Sequence, residues 1–481
     1  MLKYIIYILV FITPLIPLPW GAYRLKQASL IDFILIILLV IWSFKLSFEK
    51  MKKTSLDALD FVYIISQALI LMIICVLTPY VLFWMPIYEH CGFGDRLVIA
   101  LNRDSILIFI FYILFSVWWI IGMIRKYWQF PKTKLNLPII IFLLSVCLSL
   151  INSHNPLLSI YLFRAFLTGI LFYYILISNP LNNKEIHVLI LCLVSSLSIV
   201  CIFGFLQRFI GFGLLNHFPG MQEFHKISEL TAIKVQEIPR IASTMQNPNL
   251  LAQILIGGIF LLLGLSGSIG FVSQSFFMIV MLAGLILTYS RSVWLATLIG
   301  ITIFFSIKLN KKYRAIIYIV LLLFLLFAIF FQFSATERMR SSINIFTDES
   351  IISRFEAWKC SWKIFKDNIF FGTGLNTYAI VYPKYKGSNA IPMLDAHNTF
   401  INTAVEMGII GCISLIWIFI GFLRNMYEKS KTTENTIHKN MSIALFSCLI
   451  ALAIAGLFEN LWYDPRIILI FWTLFSIGVV L

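Results

Sequence analysis

The sequence has few charged residues, and it lacks the short motifs of common soluble enzymes. Of its 481 residues, 12% are charged and 60% are hydrophobic, whereas a soluble domain has about 25% charged and 45–50% apolar residues. It contains no Walker A loop, dinucleotide-binding glycine motif or nucleophile elbow. The eight cysteines form no CxxC motif and no Cys/His cluster with zinc spacing. These absences argue against a soluble chain, ATP-driven or serine-hydrolase chemistry, and a zinc site.

Long apolar runs are what the sequence has instead. A helix needs roughly 17–25 residues to cross a ~30 Å hydrocarbon core. About fourteen runs approach this length, several of them short: 4–20, 28–48, 59–83, 104–124, 137–152, 158–177, 185–207, 249–265, 271–289, 292–307, 315–333, 398–423, 442–458 and 465–481. Two neighbours, 271–289 and 292–307, can also be interpreted as one long helix. The runs predict an all-α polytopic membrane protein with about 12–14 transmembrane helices.

Basic residues cluster in the turns on one side of these runs. Lys and Arg accumulate in short cytoplasmic loops of membrane proteins, so the pattern predicts that both termini are cytoplasmic. The N-terminal run lacks a small-x-small cleavage site, which predicts an uncleaved first span. The same rule accounts for the net charge of +15 without nucleic acid as a partner. The clusters are Lys45/Lys50/Lys52/Lys53, Arg125/Lys126/Lys132/Lys134, Lys308/Lys311/Lys312/Arg314 and Arg424/Lys429/Lys431/Lys439.

This orientation divides the chain into five parts. Three longer loops lie on the outer side, at about 84–103, 208–248 and 334–397. The first falls within the N-terminal group of helices. The last two are the only long stretches not committed to lipid, and we expect 334–397 to carry the functional site. The remaining parts are N-terminal, central and C-terminal groups of transmembrane helices, at 1–207, 249–333 and 398–481. Cys91 and Cys360 both fall in outer loops, and the sequence leaves open whether they pair.

One segment of the 334–397 loop has the pattern of an amphipathic helix. Aromatic and aliphatic residues recur at spacings of three and four, and lysines lie on an adjacent face: Phe355, Trp358, Trp362, Phe365 and Ile369, with Lys359, Lys363 and Lys366. Gly372 and Gly374 follow as stop signals. Two interpretations remain open, namely a helix lying in the membrane interface and a helix packed against the outer rim of the bundle.

His397 ends the polar loop at Asp395 and opens the next apolar run. After it, Asn398, Asn402 and Glu406 repeat every four residues along one helix face. Polar groups at membrane depth usually face a bundle interior or a watery cavity, and a histidine at such a mouth is suited to proton transfer. Alternatively, the histidine caps or anchors the helix and the stripe is structural.

Three arginines are candidates for binding an anionic group. Arg240 precedes a new span, Arg291 lies in a tight outer turn, and Arg354 begins the amphipathic helix. A guanidinium offers a donor fork that matches phosphate oxygens, so several that converge at the outer face would hold a diphosphate. For Arg291 the alternative is snorkelling at a helix end.

In this order, six segments resemble the O-antigen ligase/polymerase family of membrane glycosyltransferases. They are RIASTMQNPNLLA (240–252), TYSRSVW (288–294), RFEAW (354–358), DNIFFGTGL (367–375), DAHNTF (395–400) and EMGIIG (406–411). Together they cover about 230–415. One departure is Ser243, where many relatives have a glycine before the threonine.

The resemblance implies a GT-C-like helical fold with a large periplasmic loop subdomain, in a bacterial inner membrane. It implies a metal-independent, cofactor-free transfer of glycan from an undecaprenyl-diphosphate donor to an acceptor hydroxyl on the periplasmic face. At matching positions, His397 is the general base, Arg291 and Arg240 hold the diphosphate and stabilise its leaving charge, and Arg354 orients the donor. Asp395 either orients His397 or caps the helix.

Several acceptors remain open. The first hypothesis is an O-antigen ligase that attaches polysaccharide to lipid A core. Within the enzymes, the alternatives are a polysaccharide polymerase and a protein O-oligosaccharyltransferase, which the motifs do not separate. A solute transporter is the rival from another class, and transport would favour inverted repeats and broken helices in matching halves.

Overall fold

The computed structural model describes residues 2–15, 131–179, 181–209, 240–245, 247–310, 349–387 and 393–481, with isolated positions at 38, 41, 42, 313, 314 and 318. Within these ranges the chain forms helices and no strand, which confirms the all-α prediction for the described part. The predicted spans 59–83 and 104–124 lie outside the described residues, as do nearly all of 28–48 and 315–333. Cys91 lies outside them as well, so the question of its pairing with Cys360 stays open.

The described α-helices are numbered here in chain order. They are α1 (Leu2–Ile12), α2 (Asn136–Ile151), α3 (Pro156–Ser178), α4 (Asn183–Phe209), α5 (Pro248–Gly264), α6 (Phe271–Leu287), α7 (Arg291–Lys308), α8 (Glu349–Asp367), α9 (Tyr378–Val381), α10 (Thr399–Thr432), α11 (Thr436–Gly456) and α12 (Pro465–Val480). Among the described residues, five helical stretches are long and apolar enough to cross a membrane: Leu158–Ser178, Asn183–Phe209, Arg291–Lys308, Thr399–Thr432 and Thr436–Gly456. The chain is therefore a helical membrane protein.

Three helices begin at the same local signal, an Asn or Asp followed by proline. Asn155, Asn247 and Asp464 each accept a hydrogen bond from a backbone N–H in the first turn of α3, α5 and α12. Proline is tolerated at the first helical position because that N–H has no partner within the helix. The signal fixes the start of α5 and so places Asn249 in its first turn.

Close helix packing holds the bundle together. A Cβ added to Gly169 of α3 would lie 2.4 Å from Cδ1 of Trp472 in α12, and one added to Gly300 of α7 would lie 2.9 Å from Cβ of Ala451 in α11. Between apolar spans, small residues let backbones approach and gain van der Waals contact, since lipid offers no hydrophobic driving force. Both glycines therefore act as contact points.

The predicted spans agree with the helices in place more than in length. The runs 271–289 and 292–307 are two helices, α6 and α7, separated by a turn. The apolar runs 398–423 and 442–458 underestimate the lengths of α10 and α11. Helix α10 continues through polar residues to Thr432, and α11 begins earlier, at Thr436. Asn435 accepts hydrogen bonds from Ile437 N and His438 N, and this cap fixes where α11 begins.

Helix α10 is broken at Gly408, which has φ 69° and ψ −170°. The break frees backbone groups that pair with the segment 369–374: Thr373 N donates to Val405 O at 3.0 Å, and Ile409 N donates to Ile369 O at 2.7 Å. A Cβ at Gly408 would lie 2.3 Å from Phe370 O, so glycine is required there by both conformation and space. The break divides α10 into a first segment, 399–407, and a longer second one.

Helix α8 is present where the sequence predicted it, but a different face packs. Its buried residues, Ala357, Cys360, Ser361 and Ile364, contact α9 and the first segment of α10. Phe355 and Trp362, which only one of the two open interpretations placed against the bundle, are exposed. The small side chains pack because they allow α8 to approach its neighbours closely, which leaves the bulky aromatics outside.

Candidate functional site

His397 lies in a strained turn directly before α10. Its φ is 47°, in the left-handed region that non-glycine residues rarely adopt. The Asp395 carboxylate accepts a hydrogen bond from His397 N at 2.6 Å, which closes an Asx turn and offsets the strain. Asn398 then caps α10 by accepting from Phe400 N and Ile401 N, both at 3.0 Å. Asp395 and Asn398 thus fix the backbone on both sides of the histidine.

The His397 imidazole is held by Glu459, which lies in the turn between α11 and α12. His397 Nδ1 lies 3.0 Å from Glu459 Oε1 and 3.6 Å from Asp395 Oδ1. An ionised carboxylate only accepts, so Nδ1 carries the hydrogen and Nε2 carries the lone pair. The His397 side chain is 30% exposed whereas that of Glu459 is 5% exposed. The ring is therefore fixed on its buried side and accessible on the other.

The charges around His397 shift the pKa values of all three groups. Burial alone would lower the pKa of His397, but the hydrogen bond and charge of Glu459 and the charge of Asp395 outweigh it and raise the pKa above 6.5. Burial raises the pKa of Asp395. Burial acts in the same direction on Glu459, but its hydrogen bond to His397 and the charges of His397 and Arg354 lower its pKa below the usual value. The structure thus favours an ionised Glu459 beside the histidine.

Hydrogen bonds connect Glu459 to Arg240. Asn249 Nδ2 donates to Glu459 Oε2 at 2.7 Å, and Asn249 Oδ1 accepts from Arg240 Nη2 at 2.7 Å. Arg240 Nε donates to Thr288 O at 2.7 Å. A continuous chain therefore runs from His397 through Glu459 and Asn249 to Arg240. Since two of its donor groups bind the protein itself, the position of Arg240 is fixed by its neighbours.

The turn that receives Arg240 also presents Arg291. Thr288 lies three residues before Arg291, which is exposed and begins α7. The Arg208 guanidinium lies 5.9 Å from the ring centroid of Tyr289 in the same turn. Two predicted arginines and a third one therefore gather around one short turn between α6 and α7. Arg291 lies at the N-terminus of a helix, where the helix dipole also favours an anion.

Arg354 approaches the same site from α8. Burial has the largest influence on the pKa values of Asp395, His397 and Glu459, and the charge of Arg354 acts to lower all three. On the next turn of α8, Trp358 Nε1 donates to Ala396 O at 2.9 Å. Helix α8 is thereby attached to the histidine turn, and its arginine lies within electrostatic reach of the histidine and both carboxylates.

The predicted polar stripe Asn398, Asn402 and Glu406 performs three different local tasks. Asn398 caps α10, and its Nδ2 donates to Leu457 O at 2.9 Å. Asn402 Oδ1 accepts from Ala396 N at 3.1 Å. Glu406 is buried and accepts from Tyr378 N at 3.2 Å. The stripe therefore holds the loops around the first segment of α10, and Glu406 binds backbone at its far end.

The histidine and the two carboxylates also have the composition of a cation site. Ligand atoms of Asp395, His397 and Glu459 all lie within 4.8 Å of one another. Nitrogen and carboxylate oxygen are ligands that zinc accepts. The hydrogen bonds already described engage all three residues without a metal, because His397 Nδ1 binds Glu459 Oε1 and Asp395 Oδ1 accepts from the turn backbone. Metal-independent chemistry stays a prediction.

Sequence reasoning did not place Glu459 or Asn249 in the site. Glu459 falls in the polar interruption between the runs 442–458 and 465–481, and counting spans puts that turn on the same side as His397. An acidic residue in that turn was therefore a sequence signal that could have placed Glu459 in the site. Asn249 gave no such signal, because polar residues are common at the start of a helix. Only the fold brings it between Arg240 and Glu459.

Comparison with known proteins supports the predicted resemblance over part of the chain. Residues 276–416 match the sequence model of a family described as O-antigen ligase. The matched region contains Arg291, Arg354, Asp395, His397 and Glu406, whereas Arg240, Asn249 and Glu459 lie outside it. No curated protein matches the chain significantly. Residues 276–416 therefore resemble an O-antigen ligase domain.

Proposed function

We propose that this protein transfers a glycan from an undecaprenyl-diphosphate donor to an acceptor hydroxyl at the periplasmic face of a bacterial inner membrane. In this proposal the protein is an O-antigen ligase acting on lipid A core. The observation that supports this proposal best is the hydrogen bond from His397 Nδ1 to Glu459. It leaves Nε2 as an accessible proton acceptor in a domain of the O-antigen ligase family.

The reaction we propose is a single displacement. His397 Nε2 takes the proton of the acceptor hydroxyl as its oxygen attacks the anomeric carbon. The new C–O bond forms while the bond from that carbon to the diphosphate oxygen breaks, and the electron pair leaves with undecaprenyl diphosphate. A single attack of this kind inverts the configuration at the carbon. A positioned general base contributes about 10²–10⁴-fold to the rate of such a step.

Glu459 stabilises the protonated form of His397 that appears during the reaction. An imidazolium next to a buried carboxylate is stabilised by charge and by the Nδ1–H hydrogen bond, as in the serine-protease triad. Asp395 contributes through the backbone, because its bond to His397 N keeps the ring in the turn. In this proposal Glu459 and Asp395 are positioning residues and do not touch substrate.

The arginines would stabilise the leaving diphosphate. Arg291 is exposed at the start of α7, and Arg354 lies within electrostatic reach of the histidine from α8. Preorganised cations at developing charge usually account for several kcal/mol of barrier lowering. Arg240 is bonded to Thr288 and Asn249, which supports a role in connecting the phosphate end of the site to the histidine.

The acceptor defines the alternatives. A polysaccharide polymerase or a protein O-oligosaccharyltransferase would use the same base and the same donor, and would differ only in the hydroxyl that enters. A solute transporter is less well supported. Within the described residues, the polar groups at the end of α11 and the start of α5 bond to one another, which favours a rigid site.

The test is reconstitution of the purified protein with undecaprenyl-diphosphate glycan and three acceptors: lipid A core, a glycan and a serine-containing peptide. We expect transfer to lipid A core, a loss of at least about a hundredfold in His397→Ala, and smaller losses in Arg291→Ala and Arg240→Ala. The anomeric configuration of the product shows whether the reaction inverts the reacting carbon. Because we expect no metal to take part, EDTA should leave the transfer rate unchanged. Undiminished transfer by His397→Ala would refute the assignment of His397 as the base. Transfer to the glycan or to the peptide in place of lipid A core would identify the protein as a polymerase or as a protein O-oligosaccharyltransferase, respectively.

A further inference from the structure

Helix α8 presents a face that mixes large apolar side chains with lysines. Phe355 and Trp362 lie two helical turns apart and are 60% and 59% exposed. The exposed lysines Lys359, Lys363 and Lys366 occupy the same side of the helix, and Lys366 Nζ lies 5.4 Å from the ring centroid of Trp362. Exposing an apolar face of this kind to water is unfavourable.

A second group of exposed apolar residues continues this face past the end of α8. Ile369, Phe370 and Phe371 are 41%, 65% and 46% exposed. They lie directly before Gly372 and run beside the break in α10, where Ile369 O accepts from Ile409 N. Together, the residues Phe355, Lys359, Trp362, Lys363, Lys366 and 369–371 form what we call the aromatic–lysine face.

The backbone contacts place α8 at one end of the bundle. The first segment of α10 begins at Thr399, which bonds Glu459 O and Leu461 N just beyond the end of α11. It ends near Val405, whose carbonyl accepts from Thr373 N, and Thr373 O accepts from His154 N just beyond the end of α2. Both ends of the segment therefore lie level with the ends of apolar helices, and the segment runs across the end of the bundle.

Helix α8 runs along this segment. Trp358 contacts Ala396 at one end, and Ile369 contacts Ile409 at the other. Between them, Ala357 and Ile364 pack in one buried cluster with Val405. The aromatic–lysine face points away from this cluster. It therefore lies at the depth where apolar spans end and lipid headgroups begin.

We propose that α8 is a membrane-surface helix whose aromatic–lysine face inserts into the headgroup layer and binds anionic phospholipid. Aromatic side chains prefer the boundary between hydrocarbon and headgroups, and lysines beside them match phosphate and glycerol-phosphate headgroups in charge. Aromatic residues and lysines alternate along this face. This arrangement suits a helix that lies parallel to the membrane surface, since both residue types then contact the headgroup layer.

This placement has a consequence for the site. The helix that carries the aromatic–lysine face also holds Arg354, and Trp358 ties it to the histidine turn. Lipid contact on one side of α8 thus fixes the depth of Arg354 and His397 on the other. A donor whose diphosphate lies in the headgroup layer would then meet these groups without leaving the membrane. The lipid-binding property itself does not depend on the proposed reaction.

The first test is tryptophan quenching by lipid in the full-length protein in bilayer nanodiscs. Phosphatidylcholine brominated near the top of its acyl chains is the quencher, and the Trp362 signal is the difference between wild type and Trp362→Phe. Trp417→Phe reports a half-exposed tryptophan of α10, and Trp462→Phe reports a buried one. We expect lipid quenching of the Trp362 component, comparable to that of Trp417 and absent for Trp462. Quenching of Trp362 by aqueous iodide instead of by lipid would overturn the proposal.

The second test measures the preference for anionic lipid. Spin-labelled phosphatidylglycerol and phosphatidylcholine report the relative association of each lipid with the protein. Replacing Lys359, Lys363 and Lys366 by Gln should lower the preference for phosphatidylglycerol severalfold, with roughly fivefold for each lysine as the upper limit. Lys384→Gln, at an exposed lysine off the face, is the control. An unchanged preference in the triple variant would contradict binding of anionic lipid by this face.

Discussion

The two ends of the first segment of α10 use buried carboxylates in opposite ways. At its start, Glu459 binds the ring of His397, whose other side is accessible. At its end, Glu406 binds the backbone N–H of Tyr378, next to the break at Gly408. One carboxylate is directed at a side chain that can change protonation, and the other is committed to backbone.

This difference separates a site from a scaffold. A buried carboxylate beside a titratable and accessible partner can support chemistry, because its charge stabilises one protonation state of that partner. A buried carboxylate that binds backbone amides stabilises a loop instead. From the sequence, Glu406 was a supporting residue of the predicted site because it shares a helix stripe with Asn398, and Glu459 was outside the predicted site.

The largest effect we expect is at the scaffold end. Gly408→Ala places a Cβ 2.3 Å from Phe370 O and imposes a side chain at a positive φ, which together cost on the order of 3 kcal/mol or more. We expect a large loss of folded protein, measured by thermal unfolding in detergent. Gly387→Ala, where a Cβ would meet nothing within 4 Å, is the control. Equal stability of the two variants would show that the break is not required.

Replacing each of the two carboxylates, Glu459 and Glu406, by an amide tests directly whether they have different roles. Glu459→Gln should lower kcat on the order of a hundredfold, because an amide no longer stabilises the imidazolium or fixes its tautomer. Glu406→Gln should keep the rate, since its remaining oxygen can still accept from Tyr378 N, and should lower only thermal stability. Glycan transfer and melting temperature are measured on both variants. A rate loss in Glu406→Gln and none in Glu459→Gln would reverse the assignment.

The pH dependence of glycan transfer tests the interaction of His397 with Glu459, and we expect a smaller effect here. A general base must be neutral, so the rate should rise as pH increases through the pKa of His397, which lies above 6.5. Since Glu459 raises this pKa by its hydrogen bond and charge, Glu459→Gln should shift the acid limb of kcat/KM to lower pH. A limb that does not move in this variant would argue that another group titrates.

Stability should change with pH in the opposite direction. The raised pKa of His397 and the lowered pKa of Glu459 mean that their interaction stabilises the protein fully between about pH 4.5 and about pH 6.5, and that this stabilisation is lost as pH rises through the folded pKa of His397. Comparing the melting temperature of wild type with that of Glu459→Gln across this range isolates the contribution. The wild-type advantage should shrink at higher pH.

The smallest effect concerns Ser243, where the sequence departs from the pattern of the family it resembles. Its φ is 51°, a conformation that costs a residue other than glycine about 1–2 kcal/mol. Two hydrogen bonds offset this strain: Ser243 N donates to Gln207 Oε1 at 2.9 Å, and Ser243 Oγ donates to Val200 O at 2.6 Å. Ser243→Gly should therefore change the melting temperature little, whereas Ser243→Val loses a bond and keeps the strain. Equal melting of the two variants would argue against this balance.

Local sequence signals predicted much of the fold and one half of the site. Apolar length located the described spans, and the Asx-Pro signals mark the starts of α3, α5 and α12. His397, Asp395 and Asn398 could be found because they are neighbours in sequence at the mouth of one helix. The break in α10 was not predicted, since Gly408 in an apolar run resembles a packing glycine until segment 369–374 is brought beside it.

The other half of the site depends on contacts between distant parts of the chain. Asn249 and Glu459 are separated by 210 residues, and Glu459 and His397 by 62. No local pattern records that these side chains meet. The sequence left the packing face of α8 open for a related reason, because periodicity marks where apolar residues lie and not which side a neighbour approaches.

The most direct test of the central claim is chemical rescue of His397→Gly by free imidazole. Glycine relieves the strain at φ 47° and leaves a space beside Glu459 that an imidazole molecule can fill. We predict that the variant folds, loses about 10²–10⁴-fold in glycan transfer, and regains activity in proportion to added imidazole. Transfer at the wild-type rate without imidazole, or a lost rate that imidazole does not restore in the folded variant, would contradict the account.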